Sequence, residues 1–232
     1  MRIKVLLVLF LGLSIGVITT CLMILVRREI INSRVKNWYP IDMSVKLDST
    51  NLPIVLINSK IDGGGDFERD NFIKSHLTII NNENGCLNYV DTVKHPNQSI
   101  DYEGDILIKY RGHSSYLECK KKSFTIRTLN SKGEKKKRSL LGMQKDKKWA
   151  LRAVQKDKTL MHDILVSELS RPYVDWVPEM KYCEVMINGI YAGVYLLSEQ
   201  ITPNRLSLSE PGNKGDSLTG GYLFQVDRPS EN

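Results

Sequence analysis

Residues 180–187 and 190–197 are two runs rich in apolar, β-branched and aromatic side chains, and between them stands Asn188-Gly189. An Asn-Gly pair accepts positive φ at both central positions of a two-residue turn, the geometry that joins antiparallel strands with their natural twist. This part of the chain is therefore committed to a β-hairpin. A lone hairpin is only marginally stable in water, so further strands must extend its sheet or cover it. The sequence offers several. Residues 53–57, 76–80, 106–110, 124–128 and 149–154 each read as strands bounded by turn residues, and 139–144 reads as a loop. Asp62-Gly63-Gly64-Gly65-Asp66 lacks both the Gly-Lys-Ser/Thr ending of a phosphate loop and the spaced acids of a calcium loop. It reads as a turn.

From Asp157 the apolar period changes. Leu160, Ile164, Leu165 and Leu169 recur at three- and four-residue steps, Asp157 or Thr159 is placed to cap the start, and Pro172 ends the run. The expectation is one amphipathic helix among mostly antiparallel strands, an α+β class.

Chemistry is concentrated in two short blocks. The strand at 106–110 runs into Arg111-Gly112-His113-Ser114-Ser115, and the strand at 124–128 is entered through Lys121-Lys122-Ser123. A small-residue turn beside strand lysines is one way to bring backbone amides and an ammonium group to phosphates. His76, His95, His113 and His162 are scattered, and no Gly-x-Ser-x-Gly elbow precedes a helix, so a Ser/His hydrolase has little support. His113 is expected to form a hydrogen bond within its turn.

With Trp149 in a strand, Asp157 at a helix start, Asn188-Gly189 in a hairpin and Gly220-Gly221-Tyr222 leading to Asp227, these blocks keep the order of a known pattern. The chain resembles the spore coat protein H (CotH) kinase family, atypical relatives of the protein kinases, over roughly residues 52–228. The resemblance implies an N-terminal kinase-like lobe, ATP with magnesium as cofactors, and phosphorylation of protein Ser or Thr. It implies that Arg111, Gly112, Ser114 and Ser115 cover the nucleotide phosphates, and that Lys121 or Lys122 holds them. Lys122 is preferred, with Phe124 on its face. Glu168 is the helix carboxylate that would pair with the lysine, and residues 197–200 stand at the kinase hinge. The family's Arg-Asn within this helix is replaced by Met161-His162-Asp163. The resemblance also places the catalytic and metal-binding acids beyond the Gly-Gly-Tyr strand. Nothing after Asp227 supplies them, so the expected domain is incomplete at its C-terminus and its activity stays open. The alternative is a non-catalytic, membrane-tethered binding or assembly module of a spore coat or cell envelope, with a coat protein as partner.

Residues 5–26 form an uncharged apolar run of about 22 residues, enough to cross a bilayer as a helix. The expected organisation is an uncleaved single-pass anchor over 1–30, a linker over 31–51 and one domain over 52–232. Arg2 and Lys4 precede the run and Arg27, Arg28, Arg34 and Lys36 follow it, so the side occupied stays open. Cys21, Cys86, Cys119 and Cys183 form neither a disulfide framework nor a zinc spacing.

The formal net charge of +7 is concentrated in Lys120–Lys122, Lys132, Lys135–Lys137, Arg138, Lys145, Lys147 and Lys148. Few aromatic residues interleave with this tract, which disfavours nucleic acid. A solvated basic loop, an anionic lipid surface and an acidic protein substrate remain compatible with it.

Overall fold

The computed structural model describes residues 44–59, 67–83, 85–209 and 220–224. The apolar run at 5–26, the glycine turn at 62–66 and Asp227 lie outside them. No helix among the described residues is long and apolar enough to cross a membrane.

Seven strands close into a barrel. In chain order they are β2 (Ile54–Ser59), β3 (Ile73–Ile80), β5 (Ile100–Arg111), β6 (Ser123–Thr128), β7 (Lys148–Arg152), β8 (Met180–Ile187) and β9 (Ile190–Glu199). Around the barrel the order is β2-β3-β5-β6-β7-β9-β8. Every pairing is antiparallel except the closing one, where Ile54–Ile57 of β2 runs parallel to Glu184–Ile187 of β8. Two short strands, β1 (Ser49–Thr50) and β4 (Asn88–Tyr89), pair outside it. Closure removes the free edges that an open sheet would expose.

The interior follows the two-residue period of the strands. Tyr102, Ile106, Ile108 and Tyr110 of β5 point inward, as do Phe124 and Ile126 of β6, Trp149 and Leu151 of β7, and Tyr195 and Leu197 of β9. Each such side chain contributes about 1.5–3 kcal/mol of burial. At one end Phe67, Tyr110 and Phe124 meet with ring centroids 5.2–5.9 Å apart. The β8–β9 turn has the expected geometry, with φ of 50° at Asn188 and 77° at Gly189.

The chain after β9 is strapped back over β7. Arg205 lies over the Trp149 ring at 4.4 Å and donates to the carbonyls of Lys148 and Gln200. Its Nε is 3.3 Å from Oε1 of Glu199, and both side chains are buried. Asp146 receives Thr202 Oγ1 at 2.6 Å.

Two short helices complete the described structure: α1 (Ser114–Glu118) and α2 (His162–Ser170). The β-rich composition matches the expectation, but the strands form a closed barrel. The helix is also shorter than its apolar period implied, because Leu160 sits at φ 58° and cannot belong to it. Asp157 organises the approach by accepting from the Thr159 hydroxyl and from the amides of Thr159 and His162, and the hydroxyl bond above all holds its carboxyl far below the usual range. The position capping α2 is Met161, without a side-chain bond. Leu165, Val166 and Leu169 are exposed, so contacts at the ends of α2 anchor it more than burial of an apolar face.

Candidate functional site

Arg111 ends β5, and the next residue, Gly112, has φ 100°. That φ strains any side chain, and a Cβ there would also come within 2.2 Å of Ser115 Oγ, so the turn favours glycine. Two side-chain bonds join the neighbouring segments. Lys121 N donates to Gln155 Oε1 at 2.6 Å, and Ala153 N donates to Ser123 Oγ at 3.0 Å. The β5–α1 turn, the entry to β6 and the exit of β7 thus face one another across a cleft of about 290 Å³.

Four cations line this cleft: Arg111, Lys121, Arg152 and Lys156. Asp163 is the acidic residue in its wall, and Arg152 Nη2 holds it at 2.7 Å, tying the first turn of α2 to the end of β7. Lys156 pairs with Glu118 at the foot of α1. Burial, then repulsion from Arg152, lowers the pKa of Arg111. Lys121 extends over the Tyr195 ring, its Nζ 4.3 Å from the centroid, and donates to the Val194 carbonyl. Burial brings its pKa down to about 8, against the opposing fields of Cys183 and Glu184. Gly193, at φ 92°, leaves room for this ammonium, 3.5 Å from where its Cβ would stand. Glu184 in turn accepts the Tyr191 hydroxyl at 2.6 Å.

Of the residues singled out in sequence, Arg111, Gly112, Ser115 and Lys121 line the cleft. Ser114 opens α1 and is exposed outside the lining. Lys122 is only 2% exposed, and its ammonium donates to the carbonyls of Tyr116 and Cys119. It precedes the first residue of β6, so strand alternation does not set its direction. Glu168 faces Arg171, with 2.8 Å between Oε1 and Nη2. The strand–helix ion pair at the cleft is instead Arg152–Asp163, which joins the exit of β7 to the first turn of α2. The His113 side chain meets that of Arg69, Nδ1 to Nη2 at 3.1 Å, while its carbonyl accepts from Leu117 N in the turn into α1.

Arg152 and Lys156 were not singled out, and Asp163 was named only within the departure from the family's helix motif. A cation at the exit of a strand and an acid in the first turn of a helix were the available signals, but only register brings them together.

A family model described as "CotH kinase protein" matches residues 108–232, a little over half of the chain and all of the cleft. No curated protein matches the chain. The match covers the glycine turn, the strand lysines and the Arg152–Asp163 pair together, and the chain belongs to the CotH kinase protein family.

Proposed function

We propose that the cleft binds the phosphates of ATP and that the barrel is the nucleotide-binding lobe of an atypical protein kinase. The observation that carries this reading is the gathering of Arg111, Lys121, Arg152 and Lys156 around the Gly112 turn, within the span matched by the family. The donor set fits phosphate: two guanidinium groups present planar forks, and Gly112 lets backbone approach closely. ATP would supply a phosphoryl group for a protein Ser or Thr hydroxyl. Arg111 and Arg152 would orient phosphate oxygens, Ser115 would donate its hydroxyl, and Lys121 would hold positive charge at the cleft wall. Magnesium does not fit the described residues. No three His, Cys, Asp or Glu side chains among them gather as a metal site, and Asp163 is held by Arg152. The same reading tethers the domain to a membrane through residues 5–26.

A second reading follows from Asp163 being so engaged. The cleft then retains an anion without transferring phosphate, in an assembly module of a spore coat or cell envelope.

Thermal shift of the full chain with ATP, with and without magnesium, tests binding. At about 100 times its dissociation constant a ligand adds roughly 2.7 kcal/mol of stability. The shift is expected for the wild type and to be reduced by Lys121→Ala and by Arg152→Ala. No shift in a folded wild-type chain would sink the nucleotide reading. Transfer of labelled γ-phosphate to a Ser/Thr-rich protein separates kinase from module.

A further inference from the structure

The outer face of three neighbouring strands carries a file of cations. Lys109 and Arg111 share one face of β5, Lys148 and Arg152 share one face of β7, and Arg127 of β6 stands opposite Lys148. Phe72 is their hub: Lys109 Nζ lies 5.0 Å and the Arg127 guanidinium carbon 4.2 Å from its ring centroid. Among the described residues Arg152 is the member of this file that forms an ion pair, with Asp163. Among the described residues no carboxylate lies within ion-pairing distance of Lys109, Arg111, Arg127 or Lys148. Crowding shows in Lys148, whose pKa is lowered by burial and then by Arg111 and Arg127, with Asp146 opposing and Lys109 adding to the fall. At one end the file reaches the cleft, since Arg111 and Arg152 line both. At the other it meets the exposed Lys132, Lys135 and Lys136 of the β6–β7 connection.

We propose that this face is a docking track for an acidic polypeptide segment, held by Lys109, Arg127 and Lys148 and led to the cleft between Arg111 and Arg152. Strands the length of β6 make a track of about 20 Å, and alternate residues of an extended peptide repeat at about 6.8 Å, the spacing from Lys109 to Arg111 along β5. Phe72 is covered by two cations and offers no free ring for a nucleic-acid base. A bilayer pressed on this face would cover the cleft mouth, whereas a chain-like ligand runs into it. The proposal deepens the kinase reading by naming its substrate class, but docking needs no nucleotide, so the two can fail separately.

The test is fluorescence anisotropy of a labelled Glu-rich peptide with the full chain, without nucleotide. Arg127→Glu with Lys148→Glu should weaken binding about tenfold or more, and the milder Lys109→Gln about threefold. Lys46→Glu with Lys94→Glu, at two exposed lysines beside the separate β1–β4 pair, makes the same charge change off the track and should weaken it less than about threefold. Melting temperatures confirm that each variant folds, and an ATP thermal shift retained by the track variant separates docking from the cleft. The proposal is overturned if the off-track pair weakens binding as much. It is also overturned if the wild type ignores the peptide while phosphatidylserine vesicles bind through Arg127 and Lys148.

Discussion

Lys122 spends its charge on two peptide carbonyls, those of Tyr116 and Cys119, and on the Tyr116 ring 4.9 Å away. Removing it strands two acceptors in a place that water barely reaches. Lys122→Ala is therefore expected to cost about 2–4 kcal/mol, seen as a lower urea midpoint at unchanged slope. A loss below about 1 kcal/mol would mean that solvent replaces the ammonium. Lys121 behaves otherwise, because its pKa falls from 10.5 to about 8 on folding. Below the folded value both states are protonated, and burial of the charge lowers stability. Between the two values the unfolded chain binds more protons than the folded one, so this residue's contribution to stability rises with pH across that window. Compared from neutral to alkaline pH, the melting temperature of the wild type should rise relative to that of Lys121→Met across that window. Phosphate binding should weaken over the same window as the ammonium loses its proton.

α2 rests on few contacts, and the Arg152–Asp163 bridge is the one that reaches the cleft. Asp163→Asn frees Arg152 for an anion, so ATP should bind several-fold tighter while stability drops by about 1 kcal/mol or less, the pair being partly exposed. Isothermal titration beside a thermal melt reads both, and weaker binding would show that Asp163 positions Arg152 rather than competing for it. The elements legible in sequence were those whose cause is local. Asn188-Gly189 sets its own turn, and the alternating residues of β6 set their own faces. The glycine turn was legible for the same reason, through Gly112. Arg152 was not, because it becomes a cleft residue only when Leu151 pairs with Phe124 and α2 begins at His162 rather than at Asp157. Lys122 misled because its neighbour Ser123, not itself, starts the strand.

The family match begins at residue 108, inside β5, yet the barrel takes β2, β3 and the first two thirds of β5 from upstream of it. A fragment of residues 108–232 would leave β8 without β2 and β5 without β3, two unpaired edges. It is expected to be aggregation-prone and to lack a cooperative melt by circular dichroism, whereas the full chain melts cooperatively. A cooperative fragment would show that closure is dispensable. Barrel closure was not legible for a related reason: the upstream strands were readable one by one, but no local pattern announces that β2 will meet β8.

That meeting also has a temporal side. β2 emerges from the ribosome with β3 to pair with, but its other edge waits until β8 has been synthesised, so the barrel cannot close by growing strand by strand. Contacts so distant along the chain are reached late and slowly, on a scale of milliseconds to seconds, and nascent intermediates carry an open edge meanwhile. The join that leaves the barrel without edges is therefore the step at which the protein's production is most exposed to chaperones and to misassembly.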